Sequence, residues 1–428
     1  MSVWNSLFVC PAIRKPKNLL CSDHHGKKSK VSSLVTEKHF SKFTRASLNN
    51  GNGNVSAKAN DDLKVPLEGE SSWGKGVGIV NFFQGKNIFI TGGTGLLGKG
   101  TTFDLQNKHL LHTHYCLCMY DVSLQTNVNG PKRIMSFAKK CKSLELLVHI
   151  STAYVNGERE GIILENPITM GENRRKDRSP FPRVNISDEV NLALKSGTKS
   201  TGYDATKDMK RLGMERAHLY GWHNTYQFTK AMGEMVIQET RGDIPVVIIR
   251  PAAIESCYKE PVPGWIQGYR VFDPLICSLG KGQLPAFLCK PDTPIDIIPL
   301  DMVVNATIAA IAKHGSKHMP ELNIYQIASS VLNPVRFSDM FNYSYEYFRS
   351  QPLIESKSST RISYYDNLVP VKYFDNFDDL SKYTRDEIYR RFGMRNVEAQ
   401  KIQKECKAKI TYAENLCKIY EFVGFLKA

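Results

Sequence analysis

One stretch constrains this chain more than any other: Asn87-Ile88-Phe89-Ile90-Thr91, followed without a spacer by Gly92-Gly93-Thr94-Gly95-Leu96-Leu97-Gly98. The first five residues read as a short buried strand, and glycines at 92, 95 and 98 then give the spacing G-x-x-G-x-x-G. Gly92 permits a tight turn, Gly95 lets the backbone approach a pyrophosphate, and Gly98 lets the next helix pack closely on the sheet. That helix start would offer unpaired N–H groups and a positive dipole end to phosphates. Alone, a glycine-rich run can be just a turn. Directly after a strand it points to dinucleotide binding, with Thr91, Gly92, Gly95, Leu96 and Gly98 as candidate contacts.

The following sequence supplies the rest of such a sheet. Gly130-Pro131 opens a helix whose inner face carries Ile134, Met135, Phe137 and Ala138, with proline placed in the first turn. Leu146-Leu147-Val148-His149-Ile150 is a continuous apolar run, typical of a parallel strand covered on both faces. A helix from about Thr225 to Glu239, halted by Gly242, precedes a second such strand at Val246–Ile249. Alternating strands and helices predict an α/β, doubly wound parallel sheet. From residue 321 to 428 the pattern turns mostly helical and predicts a second, smaller domain. An acid about 20 residues past the loop would hold an NAD ribose. Counting lands near Asp121, which no strand-like run precedes.

Tyr226 and Lys230 are four residues apart, which on a helix puts both on one face. A free tyrosine titrates near 10, and a neighbouring ammonium would lower that value toward usefulness in acid–base work. The same lysine could hold ribose hydroxyls. Y-x-x-x-K alone usually marks an exposed helix face. Here it follows both the glycine loop and Ser151-Thr152, at the end of the Leu146–Ile150 strand, where parallel sheets place their ligands. A Ser151 or Thr152 hydroxyl there could bond a substrate oxygen beside Tyr226. The alternative for the pair is a strand-ending turn.

Charge argues against nucleic acid. The net +15 is concentrated in residues 1–60, which hold 10 Lys/Arg against Asp23 and Glu37, and the rest shows no basic stripe. Residues 1–75, rich in Ser, Asn and Lys, read as a disordered tail with the composition of a plastid transit peptide. A plain disordered extension on a cytoplasmic protein is the alternative. No run approaches the ~18 apolar residues of a membrane-spanning helix, so lipid would be met through a pocket or a peripheral surface. The ten cysteines show no repeating spacing and read as reduced. His112, His114, Cys116 and Cys118 alternate, yet match no familiar zinc spacing, and no metal site is assigned.

Glycine loop, Ser/Thr strand end and Y-x-x-x-K, in that order, resemble the extended short-chain dehydrogenase/reductases. Longer runs resemble one branch, the plant fatty acyl-CoA reductases of the male-sterility type. These are Ile150–Gly157, Tyr220–Met235, Ile249-Arg250-Pro251 with Glu255, Glu260–Gly268, Gly280–Pro285 and Pro299–Ala306. The resemblance spans roughly 76–100 and 120–420. It implies a Rossmann-like reductase domain over 76–320 and a male-sterility-type domain over 321–428. It also implies NADPH as cofactor, with Lys230, Arg250 and Pro251 joining the loop residues in holding it. Tyr226, Lys230, Thr152 and Ser151 become the catalytic residues. The implied substrate is a long-chain acyl-CoA or acyl-carrier-protein thioester, reduced through the aldehyde to a fatty alcohol. Too few residues separate Gly98 from Tyr120 for the second and third strands of such a sheet. Leu105–Met119 and Phe422–Ala428 resemble nothing in the family, as in a mis-spliced product. The rival expectations are an inactive, partly folded relic, or another extended reductase acting on a sterol or sugar nucleotide.

Overall fold

The computed structural model describes residues 7–11, 78–91, 96–105, 110–111, 119–157, 159, 161–169, 180–197, 202–269, 271–357, 360–363, 368–392 and 399–424. First along the chain come β1 (Leu7–Pro11), α1 (Ile79–Phe83), β2 (Lys86–Thr91), α2 (Leu96–Leu105) and β3 (Leu110–Leu111). Helix α3 (Tyr120–Leu124) runs through a π turn (Gln125–Asn129) into α4 (Gly130–Ala138), followed by β4 (Leu146–Ile150) and a 3₁₀ turn (Ala153–Asn156). Helices α5 (Ile186–Gly197), α6 (Gly202–Leu219) and α7 (Thr225–Thr240) lead to β5 (Val246–Pro251) and β6 (Ala253–Glu255). Next are α8 (Asp273–Gly280), β7 (Ala286–Leu288), β8 (Pro294–Ile295), β9 (Ile297–Pro299), α9 (Leu300–Gly315) and β10 (Leu322–Ile327). The remainder is β11 (Val335–Arg336), α10 (Phe337–Ser350), β12 (Ile354–Lys357), β13 (Thr360–Ser363), β14 (Lys372–Phe374), α11 (Phe377–Phe392) and α12 (Ala399–Gly424).

Every residue of β4 and β5 is buried, and their side chains alternate between two cores. Val148, Ile150, Val247 and Ile249 pack with Leu96 and Leu97 of α2 and Leu300, Val303 and Val304 of α9. Leu147, Val246 and Ile248 pack on the other face with Met135 and Ala138 of α4 and Ile237 of α7. A sheet covered by helices on both faces needs such uninterrupted apolar strands. Each fully buried aliphatic side chain contributes about 1.5–3 kcal/mol. The sheet order is β10-β5-β4-β1-β2-β3. Strands β10, β5 and β4 are parallel neighbours, as are β2 and β3. β1 is antiparallel to both β2 and β4, so β2 and β4 point the same way and their carboxyl ends share one edge.

Three expectations need correction. Leu7–Pro11 belongs to the sheet, with Leu7 opposite both Ile90 and Val148, so the whole of 1–75 is not a free tail. Leu7-Phe8-Val9 has the β-branched and aromatic character that suits a strand, but so short a run is hidden in a Ser- and Lys-rich context. Residues 12–76, with the remaining tail composition, lie outside the described residues. The boundary near 320 also fails: β10 is a strand of the reductase sheet beside β5, and contacts group residues on both sides of 320 in one compact unit. Beyond β10, α10, α11 and α12 pack on β7 through Phe337, Phe341, Leu380 and Leu416 around Phe287. Finally, the stretch between Gly98 and Tyr120, expected to be too short for further strands, does supply the two-residue β3, which pairs with Ile90 and Thr91 of β2.

The helix expected to open at Gly130 begins instead at Tyr120 and passes through the π turn. Opposite that turn α7 comes very close: a Cβ on Gly233 would lie 2.2 Å from the Asn127 carbonyl oxygen. Glycine in a helix interior costs about 1 kcal/mol against alanine, and here it is what the contact requires.

Candidate active site

Helix α7 is fixed from its first turn. The Asn224 side chain accepts a hydrogen bond from the Gln227 N–H at 2.9 Å, a cap contributing about 1 kcal/mol. Phe228 is enclosed by the rings of Tyr220 and Trp222, each with its centroid 5.2 Å away, and of Tyr120 at 6.5 Å. Trp222 Nε1 donates to the Val155 carbonyl at 2.8 Å, which ties the approach to α7 to the turn after β4. With Phe228 facing the aromatic cluster, Tyr226 and Lys230 are presented to the end of β4.

There the sequence-predicted residues meet. Lys230, 3% exposed, donates from Nζ to the Ile150 carbonyl at 3.0 Å. Thr152 donates to the Pro251 carbonyl at 3.4 Å and accepts from the Tyr154 N–H at 3.4 Å. Burial pushes the Tyr226 phenol up to about 12, against a hydrogen bond with Thr152 that lowers it. The ring keeps some solvent exposure, but its hydroxyl is in a dry setting. Lys230 is not what sets the phenol: its ammonium is turned to Ile150, and the expected lowering of Tyr226 is replaced by a net rise. Burial pulls Lys230 itself down to about 8, opposed by the Glu234 carboxylate. Ser151 Oγ is buried and has no hydrogen-bond partner among the described residues.

Other expected contacts are placed differently. The Arg250 side chain does not reach toward a cofactor: it is fully buried and its guanidinium is held by Glu234 and by the Asn166 carbonyl. Sequence reading missed this because the partner is on another element. Pro251 ends β5, where its carbonyl takes the Thr152 hydroxyl. Thr91 ends β2, and Leu96 and Gly98 lie in the first turn of α2, with the Leu96 side chain in the core. Gly92 and Gly95 lie outside the described residues, as do His112, His114, Cys116 and Cys118. Among the described residues no cluster could hold a metal, and Cys141, Cys257, Cys277, Cys289, Cys406 and Cys417 are reduced thiols.

Two residues went unnoticed in the sequence. Asn127, buried in the π turn, donates to Thr229 Oγ1 at 3.0 Å, and its Oδ1 has no partner among the described residues. Asp301, in the first turn of α9, accepts from the N–H groups of Tyr258, Lys259 and Glu260 at 2.9, 2.8 and 3.2 Å. It thereby pins the loop that Cys257 and Trp265 close by backbone hydrogen bonds. The signal available for each was only an isolated polar residue in a helix.

A family model described as "Male sterility protein", for an NAD-binding domain, matches residues 112–307. Over 322 residues the chain is 45% identical to fatty acyl-CoA reductase 2, chloroplastic, of Arabidopsis thaliana, covering 71% of this chain and 50% of that protein. It is 44% identical over 238 residues to an alcohol-forming fatty acyl-CoA reductase of Simmondsia chinensis, covering 55% and 48%. An Arabidopsis thaliana protein provisionally named fatty acyl-CoA reductase 7 matches at 38% identity over 294 residues, 64% of this chain and 70% of that one. The chain belongs to the fatty acyl-CoA reductase family. It spans about half the length of the first two of these relatives. As a family member it carries an NAD(P)-binding domain. The reactive end of such a cofactor fits the described residues, since the orphaned Ser151 hydroxyl and the Lys230 ammonium converge on the end of β4.

With β1 between them, the ends of β2 and β4 stand two strand spacings apart, roughly 10 Å.

Proposed function

We propose that this chain is an NADPH-dependent, alcohol-forming reductase of long-chain fatty acyl thioesters. The observation that carries this reading is the convergence of Tyr226, Thr152, Ser151 and Lys230 at the carboxyl end of β4. NADPH, when bound, supplies the hydride, twice for each thioester taken through aldehyde to alcohol. Lys230 holds the nicotinamide-side ribose hydroxyls. Ser151 and Tyr226 donate hydrogen bonds to the carbonyl oxygen as negative charge develops on it, a use of prearranged donors that lowers the barrier. A phenol held near 12 stays protonated at neutral pH and can act as that donor. In the aldehyde step Tyr226 passes its proton to the alkoxide, with Thr152 orienting the phenol. Thr91, Gly92, Gly95, Leu96 and Gly98 would receive the pyrophosphate through backbone groups. The thioester is carried by CoA or acyl-carrier protein, which leaves as its thiol when the C–S bond of the first adduct breaks to give the aldehyde. Plastid placement is supported by the chloroplastic relative and by the composition of residues 1–75.

The separation of β2 from β4 favours a second reading, a family relic that holds the cofactor poorly. Titrating the full chain with NADPH and then supplying a long-chain acyl-CoA separates the two. Dissociation in the micromolar range, about −8 kcal/mol, with fatty alcohol formed and two NADPH consumed per thioester, supports the reductase. Absence of both binding and alcohol leaves the relic.

A further inference from the structure

On α7 the four-residue step from Tyr226 to Lys230 continues to Glu234, so the three lie along one face, each a turn from the next. Glu234 is 2% exposed and Arg250 0%. Arg250 Nη2 donates to Glu234 Oε2 at 2.7 Å, and its Nε donates to Oε1 at 3.1 Å and Oε2 at 3.2 Å. The guanidinium is itself anchored on the Asn166 carbonyl at 3.1 Å. A planar fork of this kind fixes a carboxylate in orientation as well as position. Buried ion pairs are seldom better for stability than well-packed apolar side chains, so this one calls for another role. Lys230, next along the face, is buried with one described hydrogen bond, to Ile150, although an ammonium has three donors.

We propose that Glu234, clamped by Arg250, is a positioning residue for Lys230: its fixed negative charge, one helical turn along, holds the ammonium at the end of β4 with its remaining N–H groups available to cofactor hydroxyls. This rests on the reading of Lys230 as the residue that holds the ribose. Glu234 is the group that opposes the loss of charge burial imposes on Lys230. Among the described residues, the titratable groups on the elements packed against α7 are few. β4 supplies the buried His149, β5 supplies Arg250, the turn after β4 supplies Tyr154, and α3 supplies Asp121. Arg216 of α6 is held by Glu189, and Lys132 and Arg133 of α4 are exposed.

The test is the titration of the Lys230 ammonium in the full chain labelled with ¹⁵N at the lysine side chains, its signal identified by loss in Lys230→Arg. In Glu234→Gln the midpoint should fall by a unit or more, a tenfold change in proton affinity. That variant strands a buried guanidinium, so Glu234→Gln/Arg250→Met is prepared beside it and should show the same direction of shift. Glu234→Asp, which keeps the charge, should return most of the midpoint. A purely structural pair would lower the melting temperature and leave the midpoint in place, and an unmoved midpoint in the folded double variant overturns the proposal. NADPH titration of the same proteins keeps the two readings apart. If Lys230→Met binds NADPH like the unmodified chain, the ribose-holding role falls, while the midpoint still decides what Glu234 does.

Discussion

The Lys230 ammonium donates a 3.0 Å hydrogen bond to the carbonyl oxygen of Ile150, the last residue of β4. That bond joins the middle of α7 to the strand whose next two residues are Ser151 and Thr152. It therefore brings one helix and one strand end, far apart in sequence, into a single hydroxyl–phenol–ammonium cluster. Tyr226, one turn before Lys230, is left neutral by burial and oriented by Thr152.

Tyr226→Phe removes the hydroxyl and little else. In steady-state assays with a long-chain aldehyde it should lower turnover by roughly 10²–10⁴ fold, the contribution usual for a positioned general acid. NADPH affinity should stay within a factor of about two, because no cofactor contact is assigned to the phenol. Near-normal turnover would remove Tyr226 from the chemistry.

Asp301→Asn should loosen the loop from Tyr258 to Trp265. Burial works to raise the Asp301 carboxyl, but the Tyr258, Lys259 and Glu260 N–H groups outweigh it and hold the group below the usual range. Hydrogen bonds to a charged group contribute about 1.5–3 kcal/mol. A lowered carboxyl gives stability that is complete above its unfolded value, about 3.9, and that disappears as pH falls through the folded value. Urea denaturation from pH 7 down to pH 3 should show that loss in the unmodified chain and a flatter dependence in the variant.

Glu255 behaves in the opposite sense. Burial pushes it up to about 8, the Phe272 N–H at 2.9 Å pulls it back, and the neighbouring Asp273 raises it further. Between the unfolded value, about 4.3, and about 8 the folded chain binds the extra proton, so stability falls as pH rises through that window. Glu255→Gln imitates the protonated side chain. Its melting temperature relative to the unmodified protein should therefore rise between pH 5 and pH 8; a constant difference would show that Glu255 is ionised throughout.

Gly233→Ala is expected to cost about 3 kcal/mol, at the upper end for overpacking. The new methyl group would meet a backbone oxygen, Asn127 O at 2.2 Å, and not the end of a flexible side chain. Thermal unfolding measures it. An unchanged midpoint would mean that α7 and the π turn separate easily.

Much of this site was legible in the sequence because its signals are local. The apolar runs at Leu146–Ile150 and Val246–Ile249 can be buried on both faces only in a covered parallel sheet, and the structure has them there. The four-residue spacing of Tyr226 and Lys230 places them together on any helix, and Asn224 marks where that helix starts.

What stayed hidden depends on partners distant in the chain. Nothing in Leu7–Pro11 says that it will lie antiparallel between β4 and β2, nor in Leu322–Ile327 that its neighbour will be β5. Backbone pairing is made by groups common to every residue, so composition cannot name the partner. Arg250 follows the same rule. The family resemblance implied a cofactor contact for it, but a charge that cannot reach water must be matched by whatever carboxylate the fold brings close, and packing of α7 on β5 made that Glu234. The sequence by itself determined the long buried strands, the placing of Tyr226 and Lys230 on one helix face, and the family. Only the tertiary structure decided which strand stands beside which, which way Lys230 points, and that Tyr226 is held neutral, because desolvation and long-range pairing exist only once the chain is packed.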